Sequence, residues 1–189
     1  DKIKEDFAYL FVGHWLKGNL GEDRKNVGMM VKSFAMAFKN EKVKPALVLK
    51  TSTAAFSVRD REHIFRQIKS ALGNDFGKVP VYLLHGDLSP EEMNGMYNHP
   101  KIKAMLNFTK GEGFGLPLLQ FSLTGKPIIV SNWSGHLDFL KGGGSVLLDG
   151  DLKNIEDSAA DQFLLKEAQW FNVNVSKALP IIKDVYNNY

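Results

Sequence analysis

Six short apolar runs, each followed by a polar loop, recur along this 189-residue chain and constrain its fold more than any other feature. Phe7-Ala8-Tyr9-Leu10-Phe11-Val12 is apolar throughout rather than alternating, the pattern of a strand covered on both faces in a parallel sheet. Ala46-Leu47-Val48-Leu49-Lys50, Val81-Tyr82-Leu83-Leu84, Ile102 to Phe108, Pro127-Ile128-Ile129-Val130 and Val146-Leu147-Leu148 repeat it. Helical patterns separate most of these runs. Val27, Met30, Val31, Phe34 and Phe38 recur at helical spacing and predict one apolar face. Asp60 reads as the N-cap of a second helix, with Ile64, Phe65, Ile68 and Leu72 facing inward and Gly73 as its stop. Ser89-Pro90-Glu91-Glu92 has the form of a capping box with proline in the first turn. A short helix is expected from Leu116 to Thr124. Phe163, Leu164 and Ala168 suggest another, and Val175, Leu179, Ile182 and Val185 a last one, kinked or broken near Pro180. Strands alternating with amphipathic helices predict an α/β fold, a doubly wound parallel sheet with right-handed crossovers. We expect a single domain over 1-189, with C-terminal helices over 158-189.

In such a sheet, ligands bind outside the carboxyl ends of the strands. The loops at His14 to Lys25, Lys50 to Ser57, His85 to Leu88, Lys110 to Leu116 and Asn132 to His136 therefore gather on one edge. The most informative is Lys110-Gly111-Glu112-Gly113-Phe114-Gly115-Leu116, where a strand feeds a glycine-rich turn and then a helix. That arrangement presents backbone amides to a phosphate, and Glu112 stands at its mouth, able to reach a neighbouring hydroxyl. A tight turn with an exposed acid is the plainer alternative. Lys25 lies at the start of the first helix, where its ammonium adds to the helix dipole in attracting an anion, and Arg24 makes the cluster doubly basic. Lys50 is either a phosphate ligand or a strand-end charge paired with an acid. Asn132 to His136 is either part of the site or a helix cap at Ser134 with His136 exposed. The loop His85-Gly86-Asp87-Leu88 is expected to offer backbone contacts to a base, and Asp149-Gly150-Asp151 to be a surface turn. Trp15, Trp133 and Trp170 read as packing residues.

The bulk properties narrow the function. A net charge of +3 does not imply a nucleic-acid surface, and no nucleic-acid partner is expected. The chain has no cysteine, which excludes disulfides and thiolate metal sites and suits a reducing compartment. No run is apolar enough to span a bilayer and no signal-peptide pattern is present. A cytoplasmic location is expected. The start at Asp1, without methionine, suggests an engineered start, a processed form or part of a longer chain. A dinucleotide oxidoreductase fits poorly, because Gly13 lacks the glycine spacing that such a site needs and no acid follows the second strand.

Glu112-Gly113-Phe114-Gly115-Leu116-Pro117, followed by Gly125-Lys126-Pro127-Ile128-Ile129-Val130, resembles the C-terminal donor-binding half of retaining glycosyltransferases of the GT-B fold, group 1 and family 4-like. Phe11-Val12-Gly13 followed by Arg24-Lys25-Asn26 is similar to that family's first strand and phosphate-binding lysine. The resemblance runs from about Phe7 to Gly150. It implies a Rossmann-like domain that binds a nucleotide diphosphate sugar, transfers a hexosyl group with retention, needs no metal or other cofactor in this half, and is preceded by an acceptor domain. The acceptor is open: glycan, lipid or protein. The resemblance assigns catalytic roles to Glu112, at the sugar hydroxyls, and Lys25, at the phosphates. It assigns donor contacts to Gly13, His14, Arg24, Lys50, Leu88, Gly113, Phe114, Gly115, Leu116, Gln120 and His136.

Two positions depart from the family pattern. The family has a second glutamate after seven residues, where this chain has Gln120, which hydrogen-bonds a ribose without charge. It has an arginine after the first-strand glycine, where this chain has His14. These departures motivate one alternative, a non-catalytic nucleotide or glycan binding module; a sugar-nucleotide epimerase is a further one. If Glu112 serves the donor only, Glu112→Ala abolishes transfer at small cost in stability.

Overall fold

The computed structural model describes residues 2–53, 55–162 and 164–189. The six apolar runs form one sheet: β1 (Ala8–Val12), β2 (Ala46–Lys50), β3 (Val81–Leu84), β4 (Ile102–Asn107), β5 (Ile128–Ser131) and β6 (Ser145–Leu148). Its order is β3-β2-β1-β4-β5-β6 and every pairing is parallel. This is the doubly wound, Rossmann-like order, in which the chain runs outward in both directions from β1 and β4. Burial follows position. Every residue of β1 and β5 is buried, whereas all four residues of β3 on one edge are only half-buried.

Side chains alternate across the sheet and feed two cores. Tyr9, Phe11, Leu47, Leu49 and Leu106 face α1 (Val27–Phe38), α2 (Val58–Leu72) and α6 (Val175–Asn187). Leu10, Val12, Val48, Met105 and Val130 face α3 (Pro90–Asn98), α4 (Leu116–Ser122) and α5 (Leu137–Leu140). Phe34 and Phe38 of α1 are fully buried beside Tyr9, each contributing about 2–3 kcal/mol of burial. The Tyr9 hydroxyl donates to the Ile182 carbonyl at 2.6 Å and so ties α6 to the centre of the sheet. The predicted capping box forms at Ser89 and Glu92.

Five expectations are corrected. The N-cap of α2 is Ser57, whose hydroxyl accepts from the Asp60 amide; Asp60 is turned inward. Phe65 is 45% exposed rather than part of the buried face. Pro180 sits inside α6 without ending it, and the helix runs on to Asn187. The helix expected around Leu164 and Ala168 is absent, and Phe163 lies outside the described residues. Instead Gly150–Asn154 (β7) and Gln169–Val173 (β8) pair as antiparallel strands. The region 158-189 thus holds one strand and one helix, and Gly150-Asp151 opens a strand rather than making a simple turn. Trp170 and Ile155 form a small core of their own under this hairpin.

Candidate functional site

The split in the sheet falls between β1 and β4, and the loops leaving those two strands meet there. The Lys110 amide donates to the Arg24 carbonyl at 2.9 Å, and the Arg24 guanidinium donates to the Gly111 carbonyl at 2.9 Å. This backbone link sets Lys25 opposite Glu112. The Lys25 ammonium donates to Glu112 Oε1 in a short ion pair, and both residues are buried. Arg24 Nη1 lies 3.7 Å from Glu112 Oε2. Glu112 is therefore not the exposed acid of a plain turn. Two cations share one carboxylate, which leaves the cluster net positive and receptive to an anion. Burial pushes the Lys25 ammonium below its ordinary pKa while the Glu112 carboxylate opposes that shift.

The turn that carries Glu112 is held from the β5 side. Ser134 Oγ accepts from the Glu112 amide at 3.1 Å and donates to the Glu112 carbonyl at 2.6 Å; the Gly135 amide also donates to that carbonyl. Ser134 has φ 87, in the left-handed region, a strain of about 1–2 kcal/mol for a residue with a Cβ. A Cβ at Gly135 would stand 2.0 Å from the Gly113 carbonyl oxygen, so only glycine fits. Gly115, at φ 84, turns the chain into α4. The amides of Gly113, Phe114, Gly115 and Leu116 make no hydrogen bond with the described residues. Phe114 and Leu116 are exposed beside them. Gly13 lies against the Lys25 side chain, where a Cβ would stand 3.6 Å from Lys25 Cε.

A third cation braces the turn from behind. Lys110 is fully buried, with its Nζ 4.4 Å from the Trp170 ring centroid and 3.4 Å from Glu156 Oε2. Trp170 Nε1 donates to the same Glu156 carboxylate, and the Phe171 amide donates to the Lys110 carbonyl. The hairpin is thereby fastened to the start of the glycine-rich turn. Lys110 opened the glycine-rich stretch in the sequence, but nothing local to it signals this role, because its partner carboxylate is 46 residues away. Asp23 is a second residue missed in the sequence. It is 1% exposed; Oδ2 accepts from the Val27 amide at the start of α1, and Oδ1 has no partner. Burial pushes its carboxyl pKa up to about 6. The first amide of α1 is thus capped by the protein's own acid.

Several expected contacts are diverted. Lys50 Nζ donates to the Gly86 carbonyl at 2.6 Å and lies over Phe56, pinning the loop after β3. The His85 side chain of the loop expected to face a base is turned to Asp60 at 2.6 Å, and Thr53 closes the same cluster. Burial raises the Asp60 pKa, but hydrogen bonds from Thr53 and His85 outweigh it and hold the carboxyl below its usual range. His14 is exposed and approaches Ser52 Oγ at 3.3 Å. His136 is fully buried, not exposed: Nε2 bonds to the Ser131 carbonyl at 2.8 Å and Nδ1 has no partner. Gln120 Oε1 accepts from the Tyr97 hydroxyl at 3.2 Å. Gln120 and Leu88 line one groove of about 390 Å³ between α3 and α4. Trp15 and Trp170 are buried packing residues, and Trp133, 42% exposed, stacks on the Phe171 ring at 6.4 Å. Among the described residues no group of three or more His, Cys, Asp or Glu side chains is placed to hold a metal.

No family model matches the chain, and no curated protein does. Solved structures share its fold. An α,α-trehalose 6-phosphate synthase from Burkholderia multivorans superposes with a TM-score of 0.62 at 11% identity, over 97% of this chain and 36% of that one. The lipopolysaccharide outer core galactosyltransferase WaaB gives 0.59 at 17%, over 99% of this chain and 42% of that one. The C-terminal domain of the glycosyl transferase group 1 family protein LpcC from Francisella tularensis gives 0.53 at 12%, over 77% of this chain and 70% of that domain. The chain thus has the fold of the C-terminal half of a GT-B enzyme and spans well under half the length of the two larger proteins.

The buried pair revises the expectation for Glu112→Ala. Removing Glu112 strands the Lys25 ammonium, so urea denaturation should show a loss of about 3–5 kcal/mol, whereas Lys25→Met combined with Glu112→Leu should recover most of it. Asp23 gives a pH signature. Its folded pKa lies above the unfolded value of 3.8, so the folded state binds the proton more tightly. This contribution is fully present below about pH 4 and is lost as pH rises through about 6, an effect on the order of 3 kcal/mol. Relative to Asp23→Asn, the unaltered chain should lose stability across that window in urea melts.

Proposed function

We propose that the chain is the donor-binding half of a retaining glycosyltransferase. The observation that carries this reading is the cluster of Lys25, Arg24 and Glu112 at the split between β1 and β4, beside the uncommitted amides of Gly113 to Leu116. A nucleotide diphosphate sugar fits its charge. The diphosphate sits against the two cations and the amides, while Glu112 accepts hydrogen bonds from sugar hydroxyls. Gly13 lets the pyrophosphate approach closely beside Lys25. Leu88, in the groove it shares with Gln120, is on the side of the base and ribose.

In the transfer, the bond from the anomeric carbon to the phosphate oxygen breaks and its electron pair leaves with the diphosphate. Lys25, Arg24 and the amides stabilise the negative charge that grows there, which is the main catalytic contribution of this half. The acceptor hydroxyl forms its new bond on the face that the phosphate leaves, and its proton passes to a leaving phosphate oxygen. Retention follows from that geometry, and the reading assigns charge neutralisation to side chains rather than to a metal. A hexosyl donor, a preceding acceptor domain and a cytoplasmic setting complete the proposal. WaaB and LpcC, which share the fold, support it as a galactosyltransferase and a glycosyl transferase by name.

One observation favours a second reading, a nucleotide or glycan binding module without transfer. Gln120 is engaged by Tyr97 and carries no charge for the ribose. Titration calorimetry with UDP-glucose, UDP-galactose, ADP-glucose and GDP-mannose, together with assays for glycoside formation, separates the two. Arg24→Ala removes a half-exposed cation without stranding a buried charge and should weaken donor binding about 10- to 100-fold. Binding of these donors with no glycoside formed, even by the full-length protein, would favour the module; absence of binding to any of them would end the transferase reading and leave only a glycan-binding module.

A further inference from the structure

Asn132, Trp133 and the stretch Asp149-Gly150-Asp151 take no part in the donor crevice, yet they meet around a cavity of their own. It lies at the carboxyl ends of β5 and β6, has a volume of about 300 Å³, and is lined by Asn132, Asp149, Asp151, Phe171, Asn174 and Lys177 together with Gly150. Main-chain bonds fix its outline. The Asn132 amide donates to the Leu148 carbonyl at 3.0 Å, and the Asn174 amide donates to the Asp149 carbonyl at 2.8 Å. Gly150 comes so close to β8 that a Cβ there would stand 2.1 Å from the Asn172 carbonyl oxygen.

The polar groups of this cavity are only partly matched. Lys177 Nζ donates to Asp149 Oδ2 at 3.1 Å, and Asn174 Oδ1 accepts from the Lys177 amide at 3.2 Å. The side chains of Asn132 and Asp151 are exposed and, among the described residues, have no hydrogen-bond partner. Asn172, opposite Asp151 on the facing strand, has a buried side-chain nitrogen that is likewise unpartnered. Opposite residues of an antiparallel pair share a face, so free acceptors and a free donor stand on the same side of the hairpin. Trp133, 42% exposed, lies parallel to the Phe171 ring of the lining.

We propose that this cavity binds a saccharide. Two carboxylates disfavour a phosphate or any other anion. Lys177 opposes a metal ion, and among the described residues no group of three or more His, Cys, Asp or Glu side chains is placed to hold one. Phe171 is the one apolar side chain of the lining, which leaves little for a lipid tail. A neutral polyol satisfies the whole set: its hydroxyls donate to the carboxylates and accept from the side-chain amides and the ammonium. The exposed ring of Trp133, next to Phe171, suits the apolar face of a sugar ring, and a few fixed polar groups beside an aromatic wall orient a small ligand. The inference does not rest on the donor reading. Asn132 and Ser134 belong to one loop, and Ser134 holds the Glu112 turn, so a glycan seated here lies on the same edge of the sheet as the donor crevice and outside it.

Backbone amide resonances followed during separate titrations with glucose, galactose, mannose, N-acetylglucosamine and maltose test it. At least one of these sugars should give saturable shifts on Asn132, Trp133, Gly150, Asp151 and Asn174, with a dissociation constant on the order of 1 mM. Asp151→Ala removes a charge-assisted acceptor and Trp133→Ala removes the ring face; each should weaken that binding about tenfold while circular dichroism stays as in the unaltered chain. No saturable shift at these residues with any of the sugars, shifts that glycerol reproduces at equal concentration, or folded variants that both bind undiminished would each overturn the proposal. So would shifts at these residues with calcium chloride and with none of the sugars, which would assign the carboxylates to a cation.

Discussion

The ion pair between Lys25 and Glu112 is the interaction on which the site depends. A buried carboxylate and a buried ammonium are each costly alone and tolerable only as neighbours, so the loops after β1 and β4 are held in one relative position. The parallel sheet supplies the setting. With β1 and β4 adjacent and their crossovers running in opposite directions, both loops open into the same crevice. The backbone bond from Lys110 to Arg24 then fixes the register between them. Arg24 completes an arrangement in which positive charge exceeds negative at the mouth, while the amides of Gly113 to Leu116 stay uncommitted.

Around that pair the chain accepts local costs. Ser134 occupies a left-handed conformation, compensated by the two hydrogen bonds of its hydroxyl to the backbone of Glu112. Gly135 permits an approach to Gly113 that no side chain would allow. Lys110 is taken fully out of water and held by Glu156 and the face of Trp170. Each cost falls on a residue touching the Glu112 turn or the loop against it. Strain and buried charge concentrated at one point are characteristic of a site held ready for a ligand. The β7–β8 hairpin joins this account as a brace, because its Trp170 and Phe171 grip Lys110 by side chain and backbone.

Most of the framework could be read from the chain, because continuous apolar runs of strand length bounded by glycine, proline and polar loops are too short for buried helices. The six runs all became strands, and the sheet's parallel order brought Lys25 and Glu112 together as the loop positions implied. The hairpin was missed for a physical reason. Leu164 and Ala168 happen to lie at helical spacing, while the pairing of Gln169–Val173 with Gly150–Asn154 is decided by contacts made across the chain. The run Trp170-Phe171-Asn172-Val173 did carry a strand signal in its aromatic and β-branched residues. Lys50, His85 and His136 show another limit. Residue type marks a side chain as able to bind a ligand, but whether it is taken by Gly86, Asp60 or the Ser131 carbonyl depends on neighbours distant in sequence. The exposed Phe65 follows from packing geometry, which left it beside the edge strand instead of beneath the helix.

The central claim is that a diphosphate lodges between the Lys25 helix start and the Glu112 turn. It is tested most directly by following backbone amide resonances while a nucleoside diphosphate such as UDP is titrated in. The account predicts that the largest shifts fall on Gly13, Gly113, Phe114, Gly115 and Leu116, with smaller ones on Glu112 and Ser134. Saturable shifts confined to residues away from this crevice, or no shift at these amides at millimolar ligand, would contradict it.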